Sequence, residues 1–377
     1  MTSLKTPNGL LFFKNIIISL TLFFLPLLFF DMGFDGLQIG VLMSSFTIVT
    51  LFSTFPIGVI NDKLSIKYVT VIGMLLESLF FFGLYLFRDF WIILAFFAAG
   101  ALGGNMIDTS IRGMTLKVTE TLRRGRRLGR FQAVTSGGAA IGILFGGLML
   151  FTLQFSGVLL ISAVAFFIMA LGSLFITEVK SAKFPMSDYK AVLLKKKTAF
   201  FLLPLFIFGI HWGAEHTSYT LFLREGLGLN LVASGLYMSV AIMGLALASL
   251  KTGSFIDRGG NNKIMFFIGL VISGIGHILM TVPIVPLSFA FRLMHEIGDG
   301  ITFVSFYVGF SKIFKTERIA GESSAAMSII MIGAAIGSLV FGPLGYSYGF
   351  GWPLIISGAL SILIVFVLFP LQKKLSL

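Results

Sequence analysis

Four polar side chains recur at helical spacing inside one apolar stretch of the chain. They are Arg292, His295, Glu296 and Asp299, at positions i, i+3, i+4 and i+7, which share one face of a helix. An ionisable side chain at the centre of a bilayer costs about 2.5–3.5 kcal/mol, so such groups face a partner or a wet cavity. A carboxylate between helices can take up and release a proton, whereas a guanidinium is a permanent charge that pairs with it or binds an anion. We therefore predict that Glu296 and Asp299 carry protons and that Arg292 and His295 contact a substrate.

Two further apolar stretches carry polar stripes of the same kind. In one, His211, Glu215 and Ser218 share a face, with Trp212 and His216 beside them. Glu215 is the first candidate for the proton carrier, because no Arg or Lys lies within a helical turn of it. We expect His211 and Trp212 to contact the substrate.

The second stripe consists of Asn105, Asp108, Thr109 and Arg112, again at i, i+3, i+4 and i+7. Asp108 is a further candidate for proton coupling, and Asn105 and Arg112 are candidates for substrate binding. The alternative for each stripe is a static ion pair between helices, here Asp108 with Arg112.

The sequence does not favour other chemistries. The segment His211 to His216 lacks a second His four residues after the first, so we expect no metal site, and no Ser stands beside a base as in a hydrolase. Glu77 and His277 are isolated in the sequence and are interpreted as structural residues. The absence of Cys excludes thiolate chemistry, and without a Gly-x-x-x-x-Gly-Lys-Ser/Thr loop ATP is not the direct energy source. We therefore predict neither an enzyme nor a cofactor.

The composition identifies the solvent around these stripes as lipid. Of 377 residues, 56% are hydrophobic and only 12% are charged, and the mean hydropathy is +0.99. Soluble domains carry about 25% charged residues, so a soluble fold is excluded. A membrane-crossing helix needs about 20 apolar residues, and twelve stretches meet that condition. Their predicted limits are 9–30, 37–60, 67–87, 90–115, 128–150, 155–177, 199–223, 231–256, 262–282, 285–311, 319–343 and 350–371.

The basic residues predict the orientation in the membrane. With the amino terminus inside, 22 of the 28 Lys and Arg fall on the cytoplasmic side, as expected from the positive-inside rule. The net charge of +12 is thus a topology signal, and the basic run 123–127 is interpreted as an anchor to anionic lipid rather than a nucleic-acid site. We predict a multi-pass plasma-membrane protein with both termini in the cytoplasm.

The two halves of the chain repeat one another at an offset of 195 residues. Gly138 to Gly142 recurs as Gly333 to Gly337, and Gly58 and Asp62 recur as Gly253 and Asp257. The predicted domains are a first bundle of six helices in 1–177, a cytoplasmic linker in 178–198 and a second bundle in 199–377. Parallel halves around a site in the middle of the membrane are one plan of secondary transporters.

Over essentially its whole length the chain resembles the major facilitator superfamily. The segments Gly58 to Lys67 and Gly253 to Lys263 are similar to its G-x-x-x-D-R/K-x-G-R-R loop, although Ser65 stands where the family places Gly. The resemblance implies an all-α fold of twelve helices in two pseudo-symmetric bundles, with spans one, four, seven and ten around a central cavity. It also implies a gating role for four residues near the loops: Asp62, Lys63, Asp257 and Arg258.

The glycines between Gly129 and Gly147 resemble the antiporter motif of the drug:proton branch, with Ile143 in place of its Pro. Close helix packing explains the same glycines equally well. The predicted function is proton-coupled transport of a small organic molecule by alternating access in a monomer, with export by antiport favoured. The alternatives are a symporter or facilitator for uptake of a sugar, nucleoside or carboxylate, export of a lipid-like molecule, and a membrane sensor that transports nothing.

Overall fold

The protein is all-helical in the part of the chain that its computed structural model describes. The described residues are 5–25, 28–29, 32–34, 36–118, 123–176 and 196–370. The helices, numbered in chain order, are α1 Lys5–Ser19, α2 Gly36–Lys63, α3 Ile66–Leu86, α4 Phe90–Val118, α5 124–153, α6 155–173, α7 Lys196–Ala214, α8 Leu231–Asp257, α9 Asn262–Leu279, α10 Val285–Ile313, α11 Ile319–Tyr348 and α12 Gly351–Leu368. Two π-helical segments, Glu215–Tyr219 and Phe222–Gly226, prolong α7.

Ten helical segments among the described residues are long and apolar enough to cross a membrane. One of them, Arg124–Ser173, has 50 residues, about 75 Å of helix against a hydrocarbon core of about 30 Å. Its backbone leaves the helical conformation at Gln154, with φ 56° and ψ 177°, so it comprises the two predicted spans α5 and α6. Helix α10 has 29 residues, and its Arg, Glu and Asp set it apart from the apolar helices. The predicted all-α membrane fold of twelve spans is confirmed.

The pairing of helices is duplicated in the two halves. In the first, α3 packs on α4 and α6, α1 on α5, and α2 on α4. In the second, α9 packs on α10 and α12, α7 on α11, and α8 on α10. The bounds of α4, 90–118, return at an offset of 195 as those of α10, 285–313. Identical pairings therefore follow from the repeat that the sequence shows.

The halves meet along two equivalent seams, α2 with α11 and α5 with α8. A Cβ on Gly58 would collide with Ser324, and one on Gly253 would collide with the backbone of Gly125. Glycine is needed at both places because it lets the helices approach to backbone contact.

Some sequence predictions lie at the edge of what the structure describes. The first predicted span, 9–30, begins as α1 and continues after Ser19 into a 3-10 turn, Leu22–Phe24, and its last residues lie partly outside the described ranges. Most of the predicted linker 178–198 lies outside the described residues as well. The proposed domain boundaries stay predictions.

Candidate functional site

A cluster of charged side chains joins α7 to α10 inside the second half. Arg292 donates through Nη1 to Oε1 of Glu215 and through Nη2 to Oε1 of Glu296, the latter at 2.6 Å. Glu215 is the first residue of the π-helical segment that follows α7, and π-helical turns are frequent at functional sites. The side chain of Arg292 is only 3% exposed and that of Glu215 is 16% exposed. The predicted stripes on α7 and α10 therefore face each other rather than lipid.

His295 and Asp299 extend this cluster towards α9. Nε2 of His295 lies 3.1 Å from Oε1 of Glu215, and Nδ1 of His295 lies 3.0 Å from the backbone carbonyl of Ser273. The hydroxyl of Ser273 donates to Oδ1 of Asp299 at 2.6 Å. Ser273 thus fixes both the imidazole and the carboxylate, and it was not among the predicted site residues.

Three histidine rings pack against one another beside Glu215. The ring centroids of His211 and His277 are 3.9 Å apart, and those of His277 and His295 are 4.7 Å apart. His277 is isolated in the sequence but not in the fold, because α9 brings it between α7 and α10. The position of His277 in the sequence does not predict this contact, because the contact depends on how three helices pack.

The cluster contains more carboxyl groups than guanidinium groups. Glu215, Glu296 and Asp299 contribute three carboxylates, and Arg292 is the one guanidinium that contacts them among the described residues. The ring of Tyr219 covers that guanidinium, with 4.1 Å between Cζ and the ring centroid. A buried charge that lacks a counter-charge is costly, so this group of side chains has a place for added positive charge.

The polar stripe of α4 makes separate contacts in the first half. Asp108 pairs with Lys14 of α1 at 2.9 Å, so the alternative of an Asp108–Arg112 ion pair is not what the structure shows. Nη2 of Arg112 lies 3.2 Å from Oγ1 of Thr109. The side-chain nitrogen of Asn105 lies within 3.2 Å of three oxygens of α2, on Thr50, Ser53 and Thr54. In this conformation Asn105 is engaged in helix packing, and its role in substrate binding stays a prediction.

Aromatic side chains lie next to the charged cluster on α7 and α10. The ring centroids of Trp212 and Phe303 are 5.3 Å apart, and Phe303 also packs on Tyr307. Tyr307 meets Phe131 of the first half, with 5.7 Å between the centroids. Trp212 therefore belongs to an aromatic layer that reaches the interface of the two halves.

Two carboxylates join the halves at one end of the bundle, which we call the latch end. Asp62, at the end of α2, accepts from the backbone N–H of Gly321 in the first turn of α11 at 2.7 Å. Asp257, at the end of α8, accepts from Gly125 N at 2.7 Å and from Arg126 N at 2.9 Å, in the first turn of α5. A helix N-terminus favours an anion because its first N–H groups lack partners within the helix.

At the latch end Asp62 pairs with a cation that lies outside the sequence motif. Asp62 pairs with Lys117 of α4 at 2.9 Å, a contact between residues 55 positions apart in the chain. Lys63 is half-buried beside it, and Arg258 is exposed at the end of α8. The gating roles of Asp62, Lys63, Asp257 and Arg258 are proposals, and Lys117 joins them as a residue that the motif did not contain.

Two bundles of six membrane-spanning helices, joined along pseudo-symmetric seams and enclosing buried ion pairs, define a membrane transporter. The family model of the Major Facilitator Superfamily matches residues 9–267 and 238–376, nearly the whole chain. The chain belongs to the Major Facilitator Superfamily, whose members are transporters and not enzymes.

Two solved structures share the fold over almost the full length. The human organic anion transporter MFSD10 superposes with a TM-score of 0.80 at 14% identity, over 96% of this chain and 97% of that one. The Escherichia coli fucose:proton symporter FucP superposes with a TM-score of 0.75 at 15% identity, over 97% of both chains. At such identities the similarity concerns the fold alone.

Similar sequences extend over shorter segments. The quinolone resistance protein NorA of Staphylococcus aureus strain MRSA252 is 25% identical over 125 residues, which cover 33% of this chain and 32% of NorA. The multidrug resistance protein MdtH of Photorhabdus laumondii is 34% identical over 93 residues, 25% of this chain and 23% of MdtH. The matched segments thus span a third or less of these relatives.

Proposed function

We propose that this transporter exports a small organic molecule in exchange for protons. The observation that supports the coupling is the excess of carboxylates in the cluster between α7 and α10, which a proton can balance when it enters from one side of the membrane. The groups that face Glu215 are Arg292, His295, His277 and His211, with Tyr219, Glu296 and Asp299 around them. Because Arg292 is shared by Glu215 and Glu296, a proton on one acid leaves the guanidinium to the other.

We also propose that the two halves move relative to each other and give alternating access to the charged cluster. The two contacts at the latch end hold the halves together there, and the aromatic layer of Trp212, Phe303 and Tyr307 lies between that end and the charged cluster along α10. We propose that breaking the contacts of Asp62 and Asp257 lets the halves separate at this end. Substrate then reaches the cluster from one side at a time, in a monomer of the plasma membrane whose two termini are cytoplasmic.

We propose that the substrate combines an apolar surface with a charged group. Aromatic side chains beside acids and one guanidinium suit a partly apolar molecule that carries charge. The printed names of NorA and MdtH, which concern quinolone resistance and multidrug resistance, favour export over uptake. Symport, as the name of FucP states for fucose, is the alternative.

The test is transport in proteoliposomes under an imposed pH gradient, with fluoroquinolone and organic-cation probes. Proton-driven movement of a probe against the proton flux supports antiport, and movement with the flux supports symport. We expect Glu215→Gln to abolish proton-driven transport while exchange of substrate for substrate persists. Glu225→Gln is the matched control, since this acid is exposed and pairs with Arg224 in the π-helical segment Phe222–Gly226. Full proton-driven transport in Glu215→Gln would remove Glu215 from the coupling mechanism.

A further inference from the structure

Three of the four histidines of the chain meet Glu215 at one point between α7, α9 and α10. Each of His211, His277, His295 and Glu215 offers one ligand atom, and these four atoms lie within 4.8 Å of one another. The three imidazoles are fully buried. His211 and Glu215 stand four residues apart on one helix, while the other two rings come from two other helices, which explains why no local motif predicts the group.

His295 and His277 each use one ring nitrogen in a contact outside the group, which leaves the other nitrogen of each ring for a ligand. Nδ1 of His295 faces the carbonyl of Ser273, which can only accept, so Nδ1 carries a proton, and a cation bound between Nε2 and Glu215 takes the place of a proton on Nε2. Nε2 of His277 lies 3.4 Å from Oγ of Ser357, whose own proton goes to the carbonyl of Leu354. This arrangement leaves the lone pair on Nδ1 of His277. Metal-bound histidines hold their second nitrogen in the same way.

The remaining ring, that of His211, has the backbone of Ser357 as its outer neighbour. Neither nitrogen of His211 makes a well-formed hydrogen bond among the described residues, and Nδ1 of His277 has none either, whereas Nε2 of His295 lies 3.1 Å from Oε1 of Glu215. Buried polar atoms are nearly always partnered, so the unpartnered nitrogens of His211 and His277 beside the Glu215 carboxylate indicate a ligand.

The charge of the surroundings fits a divalent cation. With neutral imidazoles, the three carboxylates and Arg292 sum to two negative charges, which one divalent ion balances. Arg292 contacts Glu215, but it also holds Glu296 at 2.6 Å, so it keeps a partner when Glu215 turns to an ion.

We propose that His211, His277, His295 and Glu215 bind one divalent transition-metal ion of the zinc class. Three nitrogens and one oxygen are a ligand set that Zn²⁺ and Co²⁺ accept in tetrahedral geometry. Bonds of about 2.0–2.1 Å place tetrahedral ligands about 3.3 Å apart, so the group contracts by about 1.5 Å at its widest pair. The bound ion ties α7, α9 and α10 together inside one half. The inference concerns binding alone. A bound ion and a proton compete for the Glu215 carboxylate, so metal binding and proton coupling are tested by separate measurements.

Titration of the purified full-length protein with Co²⁺ tests this inference. The protein is isolated in detergent with a tag that contains no histidine, and visible absorption and calorimetry are recorded. We expect saturation at one ion per chain with the intense absorption of tetrahedral Co²⁺, and displacement of Co²⁺ by Zn²⁺. A weak spectrum of six-coordinate Co²⁺, or no saturable binding, overturns the proposal.

Matched variants locate the ion. We expect His277→Ala and, separately, His211→Gln to weaken binding by about 100-fold or more, since even outer-shell changes cost 10–100-fold. His216→Ala is the control, because His216 neighbours Glu215 on the same helix and does not belong to the group. Circular dichroism and thermal melting confirm that each variant is folded. Unchanged binding in folded His277→Ala and His211→Gln proteins, or loss of binding in His216→Ala, contradicts the assignment.

Discussion

Both halves bury a carboxylate where their third and fourth helices cross, but the carboxylate comes from opposite helices. The crossings are equivalent, since Gly73 of α3 packs on Gly103 as Gly269 of α9 packs on Gly298. One turn further along, the first half has Glu77 on α3, and its carboxylate lies over Gly104 of α4.

In the second half the buried acid lies on the fourth helix, α10, instead of the third. The acid is Asp299 on α10, next to Gly298 as Gly104 is next to Gly103, and Ser273 on α9 donates to it. Asp299 also lies 3.7 Å from Nε2 of His295, whereas both oxygens of Glu77 are buried without a hydrogen-bond partner among the described residues.

The same crossing of the third and fourth helices therefore carries two kinds of buried acid. In the second half the acid belongs to a connected group of Arg, His, Ser and two more carboxylates. In the first half Glu77 stands apart from two ion pairs, Lys14 with the half-exposed Asp108 and Lys117 with the buried Asp62 at the latch end. We infer that the second half holds the connected group of ionisable side chains, whereas the ion pairs of the first half are separate from one another.

The largest expected effect is the loss of stability when Arg292 is replaced, and it tests the contrast between the two halves. Replacement by Met leaves Glu215 and Glu296 buried without their cation, a loss of about 3–5 kcal/mol for a broken buried ion pair. We expect low yield and an early thermal transition of the detergent-solubilised protein. Arg112→Met in the first half is the matched control, because Arg112 contacts a hydroxyl group and no carboxylate among the described residues. Equal destabilisation by both changes would contradict the asymmetry.

The second prediction compares the two buried acids directly. Asp299→Asn removes the charged acceptor of the Ser273 hydroxyl, worth about 1.5 kcal/mol or more, and we expect about a tenfold loss of proton-driven transport. Glu77→Gln has no hydrogen bond to lose among the described residues, so transport should stay within about twofold of the unchanged protein. Uptake rates in proteoliposomes decide between these outcomes. A larger defect in Glu77→Gln than in Asp299→Asn would break the comparison.

The smallest effect is expected at the latch end. Asp62 is fully buried and pairs with Lys117, whereas Asp257 is exposed, so solvent screens its contact with α5. Asp62→Asn should therefore open this end more than Asp257→Asn does. Since the chain has no Cys, a single Ser311→Cys reports opening through its rate of thiol labelling without background. Faster labelling in Asp257→Asn than in Asp62→Asn would show that burial does not set the strength of the contact.

The helices and their order could be predicted from the sequence, because lipid requires long apolar segments and a hydrophobic count finds them. Predicted and observed bounds of α8 differ by one residue, 231–256 against Leu231–Asp257. The polar stripes on α7 and α10 also followed from helical spacing, which fixes which side chains share a face. Helical spacing also predicts the stripe on α4, but it gives no indication that Asp108 of this stripe pairs with Lys14 of α1.

The helices, their repeat and the faces that carry charge therefore follow from patterns along the chain. The tertiary structure alone decided which faces meet: His277 with His211, Lys117 with Asp62, and Ser273 with Asp299. The physical reason is that spacing along a helix is local and fixed by 3.6 residues per turn, whereas contacts between helices depend on the rotation and depth of each helix in the bundle. Those are set by the packing of many small and apolar residues at once, and no short segment of the chain contains that information.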